Sequence, residues 1–202
     1  MSILIVRHGQ TSDNFLRRIQ TPSSPLSELG IQQAQLLAKR LAAMNVTKIL
    51  SSDYLRAHET ASYIAKEVDI KPQECALLRE RHLGDLRGQL YADLSVDPFR
   101  SNYVPPNGES WAGFHERVAS AWNFVTSTAQ ESDGNVLVVT HGLVCSSLIE
   151  RQLLLPDNLV GTAQVGNTAL TVVDHNRPWT VSLLNCIGHL NDNHVSSGGA
   201  AI

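Results

Sequence analysis

Apolar residues in this chain fall into short unbroken runs that alternate with longer segments of helical spacing. Residues 2–6 (SILIV) form a β-branched run that stops at Arg7-His8-Gly9, as expected of a buried strand delivering its C-terminal end to a loop. The polar stretch 7–25 reads as that loop. Beyond Pro25, Ser27 is in place to cap a helix whose apolar residues Leu26, Leu29, Ala34, Leu37, Leu41 and Met44 recur near helical spacing. Residues 47–50 (TKIL) predict a second strand, and Ser51, Ser52 and Asp53 offer three N-caps for a helix running to about Val68. Strand, helix, strand, helix is the order of an α/β chain with a parallel sheet.

The middle is less regular. Residues 75–80 (CALLRE) read as a strand. Residues 82–110 carry scattered glycines, Asp and Asn with Pro98, Pro105 and Pro106, which predicts a long loop with a short helix at 89–95, serving as a lid or specificity segment. Ser110 is placed to cap a helix over 111–130. Residues 135–139 (NVLVV) give the strongest strand signal, ending at Thr140-His141-Gly142 and passing into an apolar helix at 143–154. Strands follow at 168–174 and 179–185, and the terminal SSGGAAI suggests a loose tail. No repeat is visible. The expected organisation is one domain over 1–190 and a tail over 191–202.

Composition narrows the partners. The 202 residues are 43% hydrophobic, enough for one sizeable core. Sixteen Lys and Arg against nineteen Asp and Glu give a net charge of −3, with no basic run, which argues against nucleic acid or an anionic membrane as a general partner. Cys75, Cys145 and Cys186 are odd in number and lack metal or redox spacing, so buried free thiols of a reducing compartment are expected. The N-terminal apolar run is too short for a signal peptide, and no run approaches a membrane span. A cytoplasmic protein is expected, with monomer and dimer both open.

The chemistry lies at the strand ends. ILIV-Arg7-His8-Gly9 and VLVV-Thr140-His141-Gly142 are both apolar strands followed by a histidine and a glycine. Ligands of open α/β sheets bind at the carboxyl ends of strands, so two histidines 133 positions apart can meet there. A lone histidine at a strand end is as readily a structural residue; the duplication favours a site. A third end, KIL-Ser51-Ser52-Asp53, is followed by Arg56 in the first turn of its helix, where the helix dipole disfavours a cation unless an anion accompanies it. Two guanidiniums and two imidazoles converging on strand ends describe a pocket for a phosphoryl group. His58, His82, His115, His175 and His194 do not sit at strand ends and carry no predicted role.

At these residues the chain resembles the histidine phosphatase superfamily, the phosphoglycerate mutase-like proteins. Arg7-His8-Gly9-Gln10-Thr11 matches the RHGxT signature, 25–30 (PLSELG) is similar to PLTxxG, 51–61 (SSDYLRAHETA) to SSxLxRAxxTA, and 78–84 (LRERHLG) to LxExxxG. Gly108-Glu109-Ser110 and Val138 to Gly142 match in order, and the likeness spans residues 3–190. It implies a three-layer α/β sandwich with a mostly parallel central sheet flanked by helices. It further implies His8 as a nucleophile forming phosphohistidine, Arg7, Arg56 and His141 as a phosphate clamp, and Glu80 as proton donor and acceptor. Asn14, Thr11, Gln20, Thr21 and Gly142 would contact substrate. No metal or other cofactor is implied.

Thr21 and Ser24 stand where the family often has a glycine and an acidic residue. The chain also lacks the long insertion, with its arginine pair, that resembles a glycolytic mutase; 89–110 offers only Arg100. A mutase must hold two phosphates and keep water from its phosphoenzyme, so a phosphatase is favoured over a mutase or a silent phospho-ligand binding module. Substrate choice is expected to rest on Tyr91, Phe99, Arg100 and Tyr103 with Arg17 and Arg18. The partner is a small phosphorylated molecule; sugar phosphate, nucleoside phosphate, phosphoserine and phosphohistidine protein all remain open.

Overall fold

Alternation along the apolar strands decides the architecture. In a computed structural model, which describes residues 1–159 and 164–195, β1 (Ser2–Arg7) pairs parallel with β4 (Asn135–Thr140) and antiparallel with β5 (Leu170–Asp174). Strand β2 (Val46–Ser51) lies parallel on the other side of β4, followed by the short β3 (Gln73–Glu74), and β6 (Val181–Cys186) runs antiparallel beside β5. The order is β3-β2-β4-β1-β5-β6. Ile3, Ile5, Val136 and Val138 pack against α4 (Trp111–Gln130) and α5 (Gly142–Arg151). Their neighbours Leu4, Val6, Leu137 and Val139 pack against α2 (Glu28–Leu41) and α3 (Leu55–Val68). Both faces are covered, and that is why these strands read as unbroken apolar runs. Each such side chain contributes about 1.5–3 kcal/mol by burial.

The caps follow the sequence in part. The Ser27 and Ser110 hydroxyls accept from the amides of Gly30 and Gly113, both at 3.1 Å, and start α2 and α4. Of the three caps expected for α3, none holds: the cap residue is Tyr54, without a side-chain bond, because Ser51 is still paired in β2 and Ser52 is turned toward the site. The polar stretch 7–25 contains a short helix, α1 (Ser12–Phe15), closed by a Thr11/Asn14 capping box.

Two expected elements are corrected. Residues 75–80 are not a strand: after β3, Cys75 bonds to Ser51 and the chain turns through a 3₁₀ segment at Ala76–Leu78 that buries only Leu78. The helix expected at 89–95 is a single 3₁₀ turn, Tyr91–Asp93, because the backbone of Gly88, Gln89 and Tyr91 bonds across to Arg17 and Ile19 instead of to itself. Cys75 and Cys145 are buried free thiols, whereas Cys186, at the end of β6, is half-buried. A 3₁₀ turn at Asp192–His194 is held where Gln33 donates to the His194 carbonyl at 2.8 Å. Residues 196–202 of the expected tail lie outside the described residues.

One backbone contact ties the first loop to the helical layer. A Cβ on Gly30 would stand 2.0 Å from the Gln10 carbonyl oxygen, and one on Gly9 would stand 2.6 Å from the Gly30 oxygen. The start of α2 thus lies directly on the loop leaving His8, with Ser27 N–H donating to Gln10 O at 2.9 Å. Gly30→Ala is expected to cost about 1–3 kcal/mol, as overpacking does. In a chain of this length that is roughly 2–4 °C of Tm per kcal/mol, measurable by thermal unfolding.

Candidate active site

The parallel strands end level with one another. Arg7 is opposite Thr140 and Ser51 opposite Val139, so His8, His141 and Ser52 leave the sheet side by side. His8 N–H donates to Thr140 O at 2.9 Å and Ser52 N–H to Val139 O at 3.0 Å, extending the ladders by one residue. The segment entering β5 closes the other side: Thr168 N–H donates to Arg7 O at 3.0 Å and the Asn167 side chain to His8 O, also at 3.0 Å.

His8 is 1% exposed. Its Nδ1 lies 2.7 Å from the Gly9 carbonyl, which can only accept, so the ring proton sits on Nδ1 and Nε2 keeps its lone pair. Arg56 Nε donates to that lone pair at 3.1 Å. Burial, then the charges of Arg56 and Arg7, hold the His8 pKa well below the ordinary imidazole value, and the ring is neutral at physiological pH.

Both guanidiniums are buried and held by backbone carbonyls. Arg56 donates to Thr21 O at 2.9 Å from the first turn of α3, with burial lowering its pKa to about 10. Arg7 donates to Val165 O at 2.6 Å. Gly142, the first residue of α5, lies on the Arg7 guanidinium: a Cβ there would be 3.5 Å from Cζ.

The His8 and His141 rings meet edge to face at 5.2 Å. His141 Nε2 is 2.8 Å from the Ser52 hydroxyl, which accepts from Tyr54 N–H at 3.3 Å. The hydroxyl can both accept from Tyr54 and either give to or receive from Nε2, and the other ring nitrogen, Nδ1, is a fully buried atom without a hydrogen-bond partner. Burial first, and Arg56 next, hold this ring neutral as well. Glu80 is the carboxyl of the group. Its two oxygens accept from the amides of Arg81 at 2.9 Å and Leu143 at 3.0 Å. Burial raises its pKa above the carboxylate range against the opposing pull of those amides and of Arg56 and Arg7.

Five sequence candidates therefore come together: Arg7, His8, Arg56, Glu80 and His141. The others frame them. Thr11 and Asn14 are engaged in the α1 capping box, Gln20 Oε1 is 3.0 Å from the Thr11 hydroxyl, and Thr21 presents its carbonyl to Arg56. Sequence reasoning missed three neighbours. Ser52 and Tyr54 lie inside the 51–61 segment but read there as cap and spacer. Arg87, which lines the same small cavity as Gln20, Tyr54, Arg56 and Glu80, sits in irregular chain that gives no periodic signal. Among the described residues no group of three or more His, Cys, Asp or Glu side chains is arranged to hold a metal ion, and no helix is long and apolar enough to cross a membrane. A neutral imidazole whose Nε2 carries a lone pair, two guanidiniums and a carboxyl of raised pKa form a set suited to transfer of an anionic group.

Residues 3–187 match the histidine phosphatase superfamily (branch 1). Phosphoglycerate mutase-like protein 4 of Arabidopsis thaliana is 32% identical over 210 residues, covering 98% of this chain and 90% of the relative. Among solved structures, the mycobacterial glucosyl-3-phosphoglycerate phosphatase in complex with VO3 is 28% identical with a TM-score of 0.78, covering 92% of this chain and 99% of that one. The alpha-ribazole phosphatase from Shigella flexneri is 26% identical with a TM-score of 0.79, covering 93% and 97%. With the family matched over nearly the whole described chain and the paired histidine ends at its centre, the protein belongs to the histidine phosphatase superfamily.

Proposed function

We propose that this chain is a phosphomonoesterase that works without a metal, through a phosphohistidine on His8, on a small phosphorylated metabolite in the cytoplasm. The observation that carries the reading is the fixed tautomer of His8: Gly9 O holds the proton on Nδ1, so Nε2 faces the site as a nucleophile. Phosphatases among the structural neighbours support hydrolysis, as does a loop 89–110 with the single arginine Arg100.

In the first step the Nε2 lone pair attacks phosphorus, the bond to the ester oxygen breaks, and that oxygen takes the Glu80 proton and leaves as an alcohol. Arg56 Nε–H, which holds Nε2 in the resting site, turns to a phosphoryl oxygen; Arg7 and His141 Nδ1–H take others, neutralising the charge where it builds. In the second step the Glu80 carboxylate removes a proton from water, the water oxygen attacks phosphorus, and the N–P electron pair returns to Nε2 as phosphate departs. Glu80 ends protonated, ready for another cycle.

Rapid quench with a ³²P-labelled aryl phosphate is expected to trap an acid-labile, base-stable phosphoenzyme in the wild type and none in His8→Ala, with turnover indifferent to a chelator. Full turnover by His8→Ala would exclude the mechanism, and isomerisation dependent on a bisphosphorylated primer would replace it with a mutase. Glu80→Gln is expected to lower kcat by about 10²–10⁴. In the wild type kcat should fall as pH rises through a Glu80 pKa lying above the usual carboxylate range, while His8, with its lowered pKa, stays competent well into acid. In Glu80→Gln that alkaline limb should be absent. Ser52→Ala frees His141 Nε2, so ¹⁵N ring spectra should report a changed tautomer balance at His141, with kcat lower by about tenfold, the cost of one weakened hydrogen bond.

A further inference from the structure

Of the five residues grouped at the site, Glu80 alone stands within irregular chain. Arg7 ends β1, His8 and His141 directly follow strands and Arg56 opens α3, whereas residues 79–83 belong to no helix or strand. The place of Glu80 therefore has to come from bonds made by the turn before it. Three consecutive carbonyls of that turn are tied down. Arg117, from α4, donates through Nη1 to Leu77 O and Arg79 O, both at 2.8 Å, on the outer side. Between them Leu78 O accepts from the Thr140 hydroxyl at 2.7 Å in the interior. Thr140 is fully buried.

A hydroxyl at position 140 is out of keeping with its place in the strand. Side chains alternate along a strand, so Thr140 faces the same way as Val136 and Val138, toward the apolar layer that also holds Leu78 and Phe114. A valine would differ there only by a methyl group in place of the hydroxyl, and would bury no polar atom that needs a partner. What the threonine adds is one O–H, and it goes to Leu78 O. The same residue reaches the nucleophile through its main chain, since His8 N–H donates to Thr140 O at 2.9 Å. One residue thus fixes the backbone of His8 and the turn two positions ahead of Glu80.

We propose that Thr140 is a positioning residue for the general acid, holding Glu80 where its proton reaches the ester oxygen of a substrate under attack by His8 Nε2. This rests on the phosphatase reading above, in which Glu80 gives and takes that proton. The lever is short, because Leu78 O lies two residues from Glu80 with no helix or strand between to absorb a shift. Without the hydroxyl, Leu78 O loses its buried donor, and a carbonyl left so is drawn toward water. The turn then carries Glu80 away from the Leu143 amide that holds it at 3.0 Å. His8 keeps its bond to the Thr140 main chain, so the loss falls on proton transfer, which needs hydrogen-bond reach, and not on nucleophilic attack.

The basicity of the leaving group separates this role from a general loosening of the site. kcat/KM, which reports events up to phosphoryl transfer onto His8, is measured for an alkyl phosphate, whose alkoxide needs a proton to leave, and for dinitrophenyl phosphate, whose phenolate leaves without one. Thr140→Val is expected to lower kcat/KM for the alkyl ester by about tenfold to a hundredfold, and for dinitrophenyl phosphate far less. Thr140→Ser, which keeps the hydroxyl, should restore the alkyl ester. Thr140→Ala, a second variant without it, should repeat the selectivity of Thr140→Val. An equal loss for both esters, no loss for either, or a Thr140→Ser variant as selective as Thr140→Val would overturn the role. Loss of the fold in Thr140→Val and Thr140→Ala alike would make the hydroxyl structural and overturn it too. Turnover of neither ester by the wild type would overturn the phosphatase reading along with it, whereas a phosphoenzyme trapped from the wild type supports that reading whatever the variants do.

Discussion

Two arginines buried beside an imidazole at the ends of parallel strands are the constraint around which this fold is arranged. Taking a guanidinium out of water costs several kcal/mol even after relaxation, and here Arg7 and Arg56 are each 2% exposed. Backbone carbonyls take part in holding both. Val165 O receives Arg7 and Thr21 O receives Arg56, which requires the segment before β5 and the loop before α2 to come to the same place. The protonation states follow. Burial first, and the neighbouring cations next, keep His8 and His141 uncharged, and Glu80, desolvated, holds its proton to higher pH than a solvated carboxyl. A buried site of net positive charge is matched to an anion such as a phosphoryl group more than to any group the protein itself supplies.

Much of this was legible in the sequence because the signals were local. Apolar runs buried on both faces identified β1, β2 and β4, and the abrupt polar residues after them located Arg7, His8 and His141. Arg56 was legible as a cation at the wrong end of a helix. The unread parts depend on contacts between distant segments. Residues 75–80 and 89–95 have apolar content suited to regular elements, yet their backbone bonds go to Ser51 in one case and to Arg17 and Ile19 in the other. The Arg81 and Leu143 amides that hold Glu80, and the carbonyls that hold the arginines, are main-chain groups and leave no mark in residue type.

The start of α5 joins the two halves of the chemistry. Gly142 lies on the Arg7 guanidinium, leaving only van der Waals clearance for a Cβ. The next residue, Leu143, gives its amide to Glu80. The proposed phosphate clamp and proton donor are thus set by consecutive residues of one helix end, itself fixed by β4 through His141. A displacement of this helix of even half an ångström would misplace both at once, and the apolar packing of Val144 and Leu148 under the sheet is what prevents it. The core therefore acts on the reaction through the position of α5, and loss of a methylene beneath it should register in turnover as well as in stability.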